Sequence, residues 1–415
     1  MSGVRDPFRR ALLAIAALFC FLGFQYATWA SRLPALKARL DLTEAELGLL
    51  LMACGAGAAV SFPLVAVLMR RLGSRRLAVA SAVCLSLVLL ALSVAPNYPV
   101  ALLVVACDGV AVGALNVAMN AQGAALEAAY ERTAMARLHA TFSAGSLFAA
   151  LLASGVNLAT TDLATHFGIA AALLLLLIAL TRSGLLTEET GRPAEESSPA
   201  EESSPVEEPS PAEGKSGRRT FVRPSRVTVW MGLAMVFGTV TEGAMNDWSA
   251  LYMKDVAGAG SEVAPLGIAV VSVMMVLARL FADGWRSRWG DGLVVRLGSV
   301  VAGAGLALAL LAGGVVPALL GFACVGLGVA AVTPCIYVAA AGRGTDALAL
   351  VAAMGTTGLL AGPAVIGFIA EGSGLVWGMG AVAVSAVLVS LCATRIDWPR
   401  PAAGSRDEGE AVPVG

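Results

Sequence analysis

Met69-Arg70-Arg71-Leu72-Gly73-Ser74-Arg75-Arg76 interrupts two long apolar runs, residues 44–69 and 77–95. Each run can cross a bilayer core of about 30 Å as a helix, which takes roughly 20 residues at 1.5 Å each. The arginines and the glycine between the runs therefore read as a short polar turn joining two spans. The arrangement returns at Arg288-Trp289-Gly290, between apolar runs near 264–285 and 293–314, with Arg71 and Arg288 standing 217 residues apart. Gly145 and Gly362 have the same separation, Gly113 and Gly328 are 215 apart, and Gly109 corresponds approximately to Gly326. Matches in the same order at equivalent spans denote a duplicated unit.

Outward from that turn, runs near 10–31, 99–123, 138–159 and 165–186 complete a first set of six. Runs near 227–253, 317–341, 347–370 and 374–394 complete a second. The sequence thus predicts an all-α membrane protein with twelve transmembrane helices in two pseudo-symmetric six-helix bundles, residues 1–186 and 227–394. A membrane barrel would need strands of alternating character, which these Ala-, Leu-, Val- and Gly-rich runs lack. Arg9 and Arg10 precede the first run and no small-residue cleavage site follows it, so it reads as a spanning helix rather than a signal peptide.

Composition points the same way: 58% of residues are hydrophobic and 14% charged, against about 45–50% and about 25% in soluble domains. A net charge of -1 leaves no basic field for nucleic acid. The seven cysteines all sit in apolar runs with no CxxC pair and read as small buried hydrophobes; with two histidines, they imply neither metal nor cofactor. HExxH, a Gly-x-Ser-x-Gly with a partner histidine, and a Walker-type phosphate loop are missing, so the chain does not read as an enzyme or an ATP-driven pump.

Lysine and arginine placement sets the orientation. With the N-terminus cytoplasmic, that side collects Arg5, Arg9, Arg10, Arg70, Arg71, Arg75, Arg76, Arg132, Arg137, Arg286, Arg288, Arg296 and Arg343. The opposite face holds Arg32, Lys37, Arg39 and Lys254. Both termini are expected in the cytoplasm of a multi-pass plasma-membrane protein, most simply a monomer, with residues 395–415 as a tail. Residues 187–226 are acidic and rich in Pro and Ser, with PAEESS at Pro193–Ser198 repeated at Pro199–Ser204. Such a segment buries too little apolar surface to offset its ordering entropy and is expected to be a disordered cytoplasmic linker.

The six-plus-six plan and the Arg-x-Gly turns resemble the major facilitator superfamily. Ala30–Pro34, Gly113–Asn120, Leu138–Ser143 and Glu242–Trp248 with Tyr252 are similar to its fucose-permease-like bacterial members. The resemblance implies a gating role for the turn residues Arg71, Gly73 and Arg75 and for their counterparts Asp283, Arg288 and Gly290. It also has departures: Arg70 stands where the superfamily turn carries an aspartate, and Ala66 where it carries the leading glycine. Ala30 and Asn116 stand where fucose permeases carry acids, so fucose transport by their proton path is not expected.

A charge at the centre of a membrane helix costs about 2.5–3.5 kcal/mol on insertion scales, so polar residues there need a reason. Glu242 and Asp108 are the expected proton-coupling carboxylates; the alternative for Glu242 is a structural pair with Arg279 that locks two helices. Asn246 lies one turn from Glu242, and Asp108, Asn116 and Asn120 approximate one face of the fourth span. Gln25, Trp29, Asn116, Asn120 and Asn246 are the candidate substrate-binding residues, offering donors and acceptors without charge. Interhelical bonding is the alternative for the asparagines, and an aromatic belt for Trp29; Trp248 and Tyr252 are expected at the membrane interface, and His139 at headgroup level.

The expected function is a secondary active transporter moving a small solute by alternating access, coupled to protons as symporter or antiporter. The alternatives are an uncoupled facilitator of a polar solute such as a sugar, and a proton-driven drug or metabolite exporter.

Overall fold

The computed structural model describes residues 6–187 and 225–398. The first set of helices is α1 (Pro7–Ala30), α2 (Leu33–Leu40), α3 (Glu44–Ser93), α4 (Tyr98–Tyr130), α5 (Met135–Ala159) and α6 (Leu163–Thr181). The second is α7 (Arg226–Asp255), α8 (Leu266–Trp289), α9 (Asp291–Ala312), α10 (Val315–Val329), α11 (Val332–Ala341), α12 (Thr345–Ser373) and α13 (Leu375–Ala393). No strand occurs among the described residues. The expected linker core, including both PAEESS copies, and the tail beyond residue 398 lie outside the described residues.

Among the described residues ten helical stretches, α10 and α11 counting together as one, are long and apolar enough to cross a membrane, and Leu266–Ala282 of α8 is a shorter apolar stretch. At 50 residues α3 is about 75 Å long, more than twice the bilayer core. It is broken at Gly73, whose φ of 72° and ψ of 166° are not helical. The two expected spans of residues 44–69 and 77–95 are therefore two helical arms meeting at that glycine. Gly290, between α8 and α9, has nearly the same backbone (φ 79°, ψ 152°). The positive φ explains why glycine stands at both turns.

Helix ends follow local chemistry. Thr43 and Glu46 form a reciprocal capping box at the start of α3. Asp6, Asn97, Asp162 and Ser225 cap α1, α4, α6 and α7 through their side chains. The tenth expected span is divided into α10 and α11, and the short α2 follows the first span.

The two sets form two bundles. Their shared face pairs α3 with α12, α5 with α8, and α1 with α7. The second span thus meets the eleventh and the fifth meets the eighth, the pairing of a two-fold axis relating the bundles. Arg10 bonds the carbonyl of Ser183 at the end of α6, and Lys37 near the far end of α1 bonds Asp255 at the far end of α7. The starts of α1 and α7 and the end of α6 therefore share one side, the terminal side. Outward-facing Leu180, Leu308 and Leu311 are mostly exposed, as suits helix faces bathed in lipid.

Candidate transport site

Contacts between the bundles are graded by depth. On the side away from the termini, Lys37 Nζ, paired within its own bundle to Glu44 (2.7 Å), crosses to Asp255 (3.2 Å), Asn157 donates to the Ser261 carbonyl (2.6 Å), and Ser154 donates to that of Glu262. Below these, Ala27, Ala30, Ala149, Ala150, Ala250, Ile268 and Ala269 form a tight patch of mostly small side chains. Such residues let helices of opposite bundles approach closely.

Deeper still lies a polar cluster. Gln25 Nε2 donates to Asp108 Oδ1 at 2.7 Å, and Cys54 Sγ lies 3.6 Å from Asp108 Oδ2. Tyr26, the next residue of α1, donates its hydroxyl to Asp247 Oδ1 of the second bundle. Asp108 and Asp247 are 2% and 3% exposed, and no Lys or Arg pairs with either among the described residues. Cys54 lies within electrostatic reach of both carboxylates, so residues from α1, α3, α4 and α7 form one cluster. Trp29 meets Tyr26 edge to face, with centroids 6.0 Å apart. Gln25 Oε1 and Trp29 Nε1 are buried without a protein partner.

A second site lies nearer the terminal side. Arg279 Nη2 pairs with Glu242 Oε1 at 3.3 Å, while Nη1 donates to Ser143 Oγ in the other bundle at 2.8 Å. The two charged side chains are 28% and 30% exposed. Asn246 Nδ2 donates to the Glu242 backbone carbonyl at 3.1 Å. His139, one turn from Ser143, is exposed and stacks edge-on with Phe19 at 4.9 Å.

Several expectations change. Asp108 does not share the environment of Asn116 and Asn120: it is buried against α1 and α3, whereas Asn116 is exposed. Eight residues carry a helix about 80° past two full turns, enough to leave the face. Asn120 Nδ2 bonds Asn116 Oδ1 at 2.7 Å, so the two amides are tied to each other within α4. Trp248 and Tyr252 are not interfacial: both are almost wholly buried, Tyr252 packing edge-on against Phe322 at 6.0 Å. The reason is that α7 is central, touching α1, α2, α8 and α10 to α13, and has no lipid face at that level.

At the turns, Arg71 is exposed and Arg75 half-buried, and neither has an ion pair among the described residues. The equivalent turn is braced by Arg286, whose Nε and Nη2 reach both oxygens of Asp291 at 2.8 and 3.2 Å. Arg288 is exposed. Asp283 lies on α8, and its side chain is outside the described ones.

Sequence reasoning missed Tyr26, Cys54, Ser143 and Asp247. The cost of an intramembrane charge applied to Asp247 as much as to Glu242, but five residues put it about 140° around α7, away from the Glu242 face. Only the packing against α1 gives it a partner.

Two bundles of apolar helices, polar residues concentrated between them and two-fold related contacts define a membrane transporter. The chain belongs to the Major Facilitator Superfamily, whose family description matches residues 13–346. It is 32% identical over 390 residues to an uncharacterised MFS-type transporter of Yersinia pestis, covering 91% of this chain and 94% of the relative. It is 31% identical to an uncharacterised transporter of Sinorhizobium fredii (91% and 96% covered) and 29% to the membrane protein MosC of Rhizobium meliloti (90% and 88%). Among solved structures, the nucleoside transporter NupG, as a D323A mutant, matches with TM-score 0.70 at 15% identity, over 94% of this chain and 99% of that one. A bacterial homologue of the human lysosomal transporter Spinster, inward-facing and occupied, matches with TM-score 0.71 at 13% identity, over 94% and 97%. At such identities these structures share the fold.

Proposed function

We propose that this transporter is a proton-coupled secondary carrier of a small polar solute, working as a monomer in the plasma membrane with both termini in the cytoplasm. Ten long apolar helices, α8 and the doubled α3 support twelve crossings, arranged as domains 1–186 and 227–394 joined by residues 187–226. The observation that carries the coupling is the pair of buried carboxylates, Asp108 and Asp247, bonded to uncharged donors with no Lys or Arg paired to either among the described residues. A buried carboxylate without a counter-charge is costly as an anion, and a proton removes that cost. Because Tyr26 ties Asp247 across the bundle interface, protonation there bears directly on whether the halves stay together.

Glu242 is a third coupling candidate, although its pairing with Arg279 favours the alternative of a structural lock and an uncoupled facilitator. Gln25, Trp29 and Asn246, with the exposed Asn116–Asn120 amides, supply the hydrogen-bonding groups for a solute. The inter-bundle hydrogen bonds stand mid-span and toward the side away from the termini, which fits a state open to the terminal side. Gly73 and Gly290 are the hinge-like turns on that side, with Arg71, Arg75, Asp283 and Arg288 around them as gating residues.

The test is proton movement in proteoliposomes of known orientation, followed with a pH dye while sugars, amines, organic acids and drugs are added. Protons entering with the solute define symport and protons moving against it antiport; Asp108→Asn and Asp247→Asn abolish either. Solute crossing with a silent dye would sink the coupling and leave a facilitator.

A further inference from the structure

Arg279 holds an arrangement that coupling through Asp108 and Asp247 does not use. A guanidinium has five N–H donors in a planar fork suited to grip a carboxylate with two parallel bonds. Here two donors are engaged: one on Ser143 and one on Glu242, at 3.3 Å, longer than the about 2.7–2.9 Å of a well-formed charge-assisted bond. The pair is therefore single-pointed and loose. Both charged groups are also more than a quarter exposed at mid-span, and Arg279 sits where the two bundles meet. Compare Arg286, which grips Asp291 through two donors. The same side chain type, on the same helix, makes a closed fork at one end and an open one in the middle.

Resting on the reading of the protein as a carrier, we propose that Arg279 binds the carboxylate of a monoanionic organic solute, which replaces Glu242 as its counter-ion while Glu242 takes up a proton. The charge balance is the physical core of the inference. Before exchange the site holds one carboxylate and one guanidinium, net zero. Afterwards it holds a neutral Glu242, the guanidinium and the solute anion, again net zero. No covalent bond other than the O–H of Glu242 is made, and its proton comes from solvent, to which the side chain is 30% exposed. Adding the anion without the proton would leave an excess negative charge in a site walled by apolar helices, which is expensive.

The surroundings support this exchange. Of the elements packed against the pair, α5 presents Ser143 and His139, and His139 lies within electrostatic reach of Arg279. Tyr26 of α1 is committed to Asp247, and α10, α12 and α13 carry no charged residue in mid-span. Glu242 is thus the carboxylate whose removal leaves Arg279 without a counter-ion. Asn246, bonded to the Glu242 backbone, stands one turn away as a neutral hydrogen-bonding neighbour for the rest of the solute.

The probe is formate, the smallest carboxylate, added to the purified full-length protein with chloride-matched ionic strength, and the readout is thermal stability. In Glu242→Gln, which imitates the protonated residue, formate should bind about tenfold tighter than in wild type and raise Tm by a few degrees at saturating concentration. Glu242→Gln combined with Arg279→Gln should lose that response. If the variants do not fold, wild type alone decides: formate should protect more strongly at about pH 5.5 than at about pH 8. Equal protection of wild type and Glu242→Gln, or protection that survives loss of Arg279, or a response independent of pH, overturns the proposal. Failure here with an active dye signal in proteoliposomes refutes the anion exchange and leaves the coupling through Asp108 and Asp247 standing; solute crossing with a silent dye refutes both, because the exchange itself carries a proton.

Discussion

Replacing Tyr26 with phenylalanine removes one oxygen and, with it, the hydrogen bond that joins Asp247 of the second bundle to α1 of the first. Asp247 is 3% exposed, so water cannot replace the lost donor while the bundles are together. A hydrogen bond to an ionised group contributes about 1.5–3 kcal/mol. The bond spans the interface, so this loss falls on the closed arrangement, whereas each bundle keeps its own packing. With RT near 0.59 kcal/mol, the balance between closed and open arrangements shifts by roughly 10- to 150-fold toward opening on the side away from the termini. The assay is double electron–electron resonance between spin labels on Ala159 of one bundle and Val256 of the other, both exposed. The exposed Cys84 and Cys107 are first replaced by serine. Tyr26→Phe should populate a longer distance, Asp247→Asn should do so less, and the double variant should equal Tyr26→Phe. Unchanged distance distributions in Tyr26→Phe would refute the assignment of this bond as an inter-bundle clasp.

Gly109→Ala should lower the yield of folded protein in size-exclusion chromatography. Its Cβ would stand 1.8 Å from the Cys54 carbonyl oxygen, forcing α3 and α4 apart at a cost of about 1–3 kcal/mol. Gly155→Ala, which meets nothing within 4 Å, should be neutral or stabilising by up to about 1 kcal/mol. Gln122 is buried and holds both the N–H and the carbonyl of Leu186, at 2.9 and 3.0 Å, together with Ser74 Oγ at 2.8 Å. Gln122→Leu orphans those backbone groups and should cost about 2–4 kcal/mol, seen as a Tm drop of several degrees. Burial alone pulls the Lys37 ammonium down, but its bonds to Glu44 and Asp255 outweigh this and hold it above its ordinary 10.5. Its contribution to closure is therefore complete below pH 10.5 and is lost as pH rises through the elevated value. Lys37→Gln should accordingly lengthen the Ala159–Val256 distance at neutral pH, whereas in wild type the Lys37 clasp itself is lost only in strong alkali.

The all-helical membrane fold and the glycine turns were legible because lipid imposes a crude, repetitive demand: long apolar stretches separated by arginine-rich turns. Even the shared backbone of Gly73 and Gly290 was announced by their 217-residue spacing. What was not legible was most of the partnership. Arg279 could be named as a partner for Glu242, and the two do pair, but nothing in the sequence joined Asp247, five residues further along the same helix, to Tyr26 of α1. Trp248 and Tyr252 looked like belt residues from their position along the helix, and only the central place of α7 makes them core. The relation of Asp108 to Asn116 failed on rotation: an 80° drift separates a buried wall from an open one. Intramembrane polarity can thus be recognised one residue at a time, whereas pairing requires knowing which helices are neighbours.

The graded contacts between the bundles also have a mechanical meaning. Arg279, at the deepest of them, lies 13 residues from the Leu266 end of α8, about 20 Å along the axis. Rocking about that level works as a lever: each degree parts the far rim by about 0.35 Å, so a solute some 7 Å across needs about 20° of swing. The patch between fulcrum and rim is built mostly of alanines, with Ile268 its one larger member. A small rotation at Arg279 thus makes a large stroke at the rim, where the bonds of Lys37 to Asp255, Asn157 to Ser261 and Ser154 to Glu262 are the polar contacts it has to break.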